Sequence, residues 1–112
     1  MGSRHYPALE RVAEYVRGLP GGSTIVTGSA VGVDAEEARA ARDSDLAVMR
    51  VSASFEEAHD PQAAAVRNQA LIDKADVVVA FWDGVSTGTR GTIDRALESG
   101  KEVHVFIDKI RR

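Results

Sequence analysis

Cysteine is absent from the 112 residues. That excludes disulfides, thiolate catalysis and cysteine-ligated zinc together, and it fits a cytoplasmic protein. Histidine is sparse: His5, His59 and His104 are scattered, and His104 lies within an apolar run, so no metal site is expected. No apolar stretch approaches the ~20 residues a membrane helix needs, and no signal peptide is found, so no membrane partner is expected. Basic charge is not in excess. The net charge is −3, whereas a nucleic-acid binder carries a net basic face, so no nucleic-acid partner is expected. Repeats and low-complexity tracts are missing, no motif calls for a cofactor, and no Ser–His–Asp arrangement can be drawn.

What is present is a regular alternation of short apolar runs and helical patterns. The chain centres on Val77 to Leu97. Val77 to Trp82 is an unbroken apolar run, as in a parallel strand buried on both faces. Asp83 to Thr89 is a polar, glycine-containing turn, and from Gly91 the residues Ile93, Ala96 and Leu97 fall on one helical face with Gly100 as a stop. Upstream, Pro7 suits a first helical position, and Leu9, Val12, Ala13 and Val16 mark a helix ending near Gly18. Thr24 to Thr27 is a β-branched strand followed by the loop Gly28 to Asp34 and a helix over Ala35 to Arg42. Leu46 to Val51 reads as a strand, Ser52 to His59 as a loop, and Asp60–Pro61 as the opening of a helix through Ala75 with Ala64, Leu71, Ile72 and Ala75 inward. Val103 to Ile107 is a last buried strand, and 109–112 a basic tail.

This pattern implies one α/β domain over residues 1–112: a doubly wound, mostly parallel sheet of four strands with about four helices on both faces. Ligands of such sheets bind beyond the carboxyl ends of the strands. Gly28 to Asp34 and Gly84 to Thr92 both follow a strand's carboxyl end. Free amides at a helix N-terminus hold anions, phosphate above all, so the two loops are expected to cradle one ligand.

The chain also resembles the SLOG superfamily, the Rossmann-like nucleotide-binding group that includes Lonely Guy phosphoribohydrolases and the DNA-processing protein A. Gly2–Ser3–Arg4 is similar to the family's G-S-R. Gly28 to Asp34 is similar to its G-G-x-x-G-x-D loop, with Ser29 in place of the second glycine. Arg67–Asn68, nine residues ahead of Asp76, matches the spacing of its Arg-Lys pair. Phe81–Trp82–Asp83–Gly84 with Ser86, Gly88 and Thr89 is similar to the F-W-D-G-x-S-x-G-T of a branch of small single-domain members. Two departures stand out. Arg95 falls where Lonely Guy enzymes carry their catalytic glutamate, with Asp94 one residue early, and the family's first strand, which normally precedes G-S-R, is lacking.

The resemblance implies a nucleotide or nucleotide-derivative binding domain, acting as a sensor. Its ligand-binding residues would be Arg4, Gly28, Ser29, Gly32, Asp34, Arg67, Asn68, Trp82, Asp83, Gly84, Ser86, Gly88, Thr89 and Thr92. The alternative it implies is a nucleoside 5′-monophosphate phosphoribohydrolase, with Arg67 and Asp94 as candidate catalytic residues. Structural readings stand beside these: Asp34 as a helix cap, Trp82 as core, Arg67 as a surface arginine, and Ser86, Thr89 and Thr92 as caps. Asp43, Asp45, Glu36, Glu37, Glu56 and Glu57 read as solvated faces. A homo-oligomer is expected, because relatives often pair and a missing strand leaves apolar surface to cover.

Overall fold

Each short apolar run becomes a strand and each helical pattern a helix, in the order α1 (Leu9–Arg17), β1 (Thr24–Thr27), α2 (Val33–Asp43), β2 (Ala47–Arg50), α3 (Pro61–Lys74), β3 (Val77–Trp82), α4 (Thr87–Glu98) and β4 (Glu102–Ile107). The computed structural model describes residues 1–28, 31–51 and 59–110, the side chain of Ala64 excepted. The reading of residues 52–58 as a loop, and of Ser29 as a ligand contact, lies outside the described residues.

The expected single four-stranded sheet is not what forms. Two separate two-stranded parallel sheets are present, β1 with β2 and β3 with β4. Thr24 pairs with Ala47 and Thr27 with Arg50 in the first; Val77 pairs with Glu102 and Trp82 with Ile107 in the second. Between the sheets the N-terminal residues make one parallel bridge, Gly2 to Phe81. The Phe81 amide donates to the Met1 carbonyl at 3.0 Å, and the Ser3 amide donates to the Phe81 carbonyl at 2.9 Å. Among the described residues β1 and β3 do not pair, and the backbone of Met1 to Ser3 lies along β3.

The core follows the same division. Tyr6, Ala8, Val12, Val33 and Phe81 form one buried cluster, and Ala13, Val16, Ala40, Ala41 and Leu46 another. Phe81 stacks on Phe106 with centroids 5.2 Å apart and meets Tyr6 edge-on at 5.5 Å. A third cluster, Ile72, Val78 and Ala96, seals α3 and α4 against β3.

Several local expectations need correction. The helix α4 begins at Thr87, not Gly91, directly after a turn ordered by the Asp83 carboxylate. Ile93 and Ala96 are buried as expected, but Leu97 is 58% exposed, and the buried face of α4 extends back one turn to Thr89. β4 is only partly buried: Val103, His104 and Phe106 are half-buried, whereas Val105 and Ile107 are exposed. β3 is buried only from Val78 to Phe81, and even there incompletely, with Val77 open. Helix α1 starts at Leu9, two residues after Pro7.

Candidate functional site

The turn after β3 is built by one carboxylate. Asp83, 4% exposed, accepts the amides of Val85 and Ser86 at 2.9 and 2.8 Å and the Ser86 hydroxyl at 2.8 Å. Gly84 adopts φ 87°, which lets the chain reverse here. Burial pushes the Asp83 carboxyl up, but the bonds from Val85, Ser86 and Ser3 outweigh it and hold the group below its ordinary value. Trp82 donates its indole N–H to the Ser86 carbonyl at 3.1 Å, so the ring clamps the turn. Two amides of this loop are thus consumed internally. The first helical bond of α4 runs from the Arg90 amide to the Ser86 carbonyl, which leaves the amides of Thr87, Gly88 and Thr89 outside the helical ladder and pointing past its end.

Ser3 ties three segments together. Its hydroxyl accepts the Asp83 amide at 3.1 Å and donates to the Thr89 hydroxyl at 3.2 Å, all within the core. The local pattern Gly2–Ser3–Arg4 gives no sign of this role, because both partners of Ser3 lie at least 80 residues away.

The loop after β1 is organised by carboxylates on α2. The Thr27 hydroxyl lies 3.3 Å from Asp34 Oδ1 and 2.9 Å from Glu37 Oε1. Burial raises the Glu37 carboxyl above its ordinary value, against the pull of the Met1 ammonium and Thr27, and neighbouring Asp34 adds to the rise. Both Glu37 oxygens accept from the Met1 ammonium, at 3.2 and 3.1 Å. Glu37 is therefore no solvated residue; it is 6% exposed. The expectation failed because its partners, Met1 and Thr27, are distant in sequence. Asp34 is the second residue of α2, whose N-cap is Gly32, so it does not act as the cap. A Cβ on Gly28 would stand 2.6 Å from Asp34 Oδ2; glycine is what lets this carboxylate lie against the backbone.

Both loops open on one cavity of about 1090 Å³ between the two sheets. Gly28 and Asp34 line it from the first loop, Gly88, Thr89 and Thr92 from α4, and Arg67 with Asn68 from α3. Arg67 is half-buried and its guanidinium donates to Asn68 Oδ1 at 3.0 Å. Thr92 returns its hydroxyl to the Gly88 carbonyl at 3.2 Å. Of the other candidate ligand residues, Arg4 is exposed, and Gly32, Trp82, Asp83, Gly84 and Ser86 shape the loops without lining the cavity. Asp94 is exposed and does not line it either. The rim is thus polarised, with carboxylates on the α2 side and a guanidinium and helix N-terminus on the other. Among the described residues no group of three His, Asp or Glu side chains could hold a metal ion, and no helix is long and apolar enough to cross a membrane.

No protein-family model, no curated protein and no solved structure matches the chain.

Proposed function

We propose that the protein binds a nucleotide or nucleotide derivative at the rim where both loops meet, and serves as a sensor. The two sheets are read as halves of one Rossmann-like arrangement of the SLOG kind, with the rim at the carboxyl ends of β1 and β3. The observation that carries the reading is the charge division of a single cavity. The Thr87–Thr89 amides and Arg67 suit phosphate oxygens. Asp34 suits the ribose diol, since a carboxylate accepts from hydroxyls and repels phosphate. The exposed apolar side chains of Val105 and Ile107 in β4 support self-association, which light scattering on a sizing column tests.

Calorimetric titration with nucleosides and their mono-, di- and triphosphates tests the binding. Arg67→Ala is expected to weaken nucleotides about tenfold or more while sparing nucleosides, and Asp34→Asn to weaken both alike. If no nucleotide binds the intact chain, the reading is wrong.

A further inference from the structure

Side chains alternate along a strand, so Glu102, His104 and Phe106 share one face of β4. Helix α1 sets Tyr15 against that face. The Tyr15 ring meets Phe106 edge-on at 5.3 Å, and His104 and Phe81 each at 6.2 Å. These contacts fix the phenol ring, and its hydroxyl lies 3.2 Å from His104 Nδ1. On the far side of the imidazole, Nε2 stands 3.1 Å from Glu102 Oε2. A carboxylate only accepts, so Nε2 holds the proton of the neutral ring, and Nδ1 accepts from the Tyr15 hydroxyl.

A hydroxyl, a base within hydrogen-bond reach and a third group orienting that base are the parts of an activated nucleophile. Solvent reaches all three. The side chains of His104 and Glu102 are 41% and 65% exposed. Tyr15 is half-buried and lines a surface groove of about 470 Å³ with Arg11, Glu14 and Phe106. Arg11 stands one turn before Tyr15 on the same side of α1, where a guanidinium stabilises an oxyanion. Glu14 in the same groove disfavours anionic substrates, phosphoesters included. Burial, with the Glu102 charge adding to it, raises the Tyr15 hydroxyl above its ordinary value. The group is therefore a phenol at neutral pH, and an attack by its oxygen needs the imidazole to take its proton.

We propose that Tyr15 and His104, positioned by Glu102, form a catalytic site that transfers the acyl group of uncharged carboxylic esters to water through an acyl-tyrosine. The Tyr15 oxygen bonds to the ester carbonyl carbon while its proton passes to His104 Nδ1. The bond from that carbon to the alkoxide breaks, and the alkoxide takes the proton and leaves as alcohol. Water then attacks the acyl-tyrosine and gives a proton to Nδ1. The tyrosine oxygen departs and recovers that proton, and the carboxylic acid is released. Glu102 holds Nε2–H throughout and stabilises the imidazolium formed in each half. Glu102 and His104 are the first and third residues of β4, at the opposite end of the strands from the glycine-bearing loops. The inference does not rest on the nucleotide reading.

The test mixes the intact chain with p-nitrophenyl acetate, follows nitrophenolate by absorbance and maps the acetyl group by peptide mass spectrometry. Release above the buffer rate and acetyl on Tyr15 are expected. Tyr15→Phe keeps the ring contacts and should abolish the enzymatic release. His104→Gln should slow acylation about a hundredfold or more. The wild-type rate should fall at acid pH as the imidazole takes up a proton, and that step should be missing from His104→Gln. Glu102→Gln no longer stabilises the imidazolium and should move the step to lower pH, which a purely structural contact would not do. Release at the buffer rate, acetyl groups confined to lysines, or equal acylation of Tyr15→Phe or His104→Gln overturns the proposal. A pH step unmoved in Glu102→Gln overturns the role given to that carboxylate.

Discussion

Glu37 and Asp83 are buried carboxylates with opposite tendencies, and each makes a pH prediction of opposite sign. Burial raises Glu37 above the ordinary 4.5. Above that value the native state therefore holds more protons than the unfolded chain, and stability from this group falls as pH rises through its folded value. The contribution is fully present only below 4.5. Urea unfolding from about pH 4 to pH 8 should show the stability of the wild type declining relative to Glu37→Gln, which cannot titrate; parallel profiles would contradict the assignment. Asp83 is held below its ordinary 3.8, so its contribution is present above 3.8 and lost as pH falls through the folded value. Asp83→Ala strips the Val85 and Ser86 amides of their acceptor and should cost about 1–3 kcal/mol at neutral pH by urea unfolding, with Asp83→Asn losing less.

At the scale of elements, the segment Met1–Ser3 acts as a fragment of strand, and Gly2 makes that possible. A Cβ there would stand 2.7 Å from the Phe81 carbonyl and 2.7 Å from a Val33 methyl. Neither neighbour can swing away, since one is strand backbone and the other is a buried branched side chain. Gly2→Ala should destabilise by about 1–3 kcal/mol and lower the melting temperature, by forcing the segment off β3. A variant melting with the wild type would show that the bridge contributes nothing. Element types were readable from residue patterns: β1 and β3 match their apolar runs residue for residue, and α3 ends one residue short of Ala75. The ends were less readable. Helix α4 takes in Gly88 and Gly91, which local propensity argues against, because Asp83 organises its entry and Ser3 secures Thr89.

At the scale of the molecule, the gap between the sheets governs which amides are shielded. Hydrogen exchange should find Val78 and Ala80, which face β4, protected about tenfold or more over Val79 and Val26, which face the cavity. Comparable protection at all four would mean that the sheets close up in solution.

The residue pattern by itself determined the kind and order of the elements and the position of a glycine-bearing loop after β1 and after β3, because periodicity, turn residues and apolar runs act over a few neighbours. Of the fourteen residues expected around a ligand, Gly28, Asp34, Arg67, Asn68, Gly88, Thr89 and Thr92 line the cavity, whereas Arg4, Gly32, Trp82, Asp83, Gly84 and Ser86 do not. Only the tertiary structure decided that the strands form two sheets and not one, and that Glu37 is buried against Met1 and Thr27. Those outcomes depend on partners some 10 to 80 residues apart in sequence, whose meeting is set by how whole elements pack, and no local pattern encodes that.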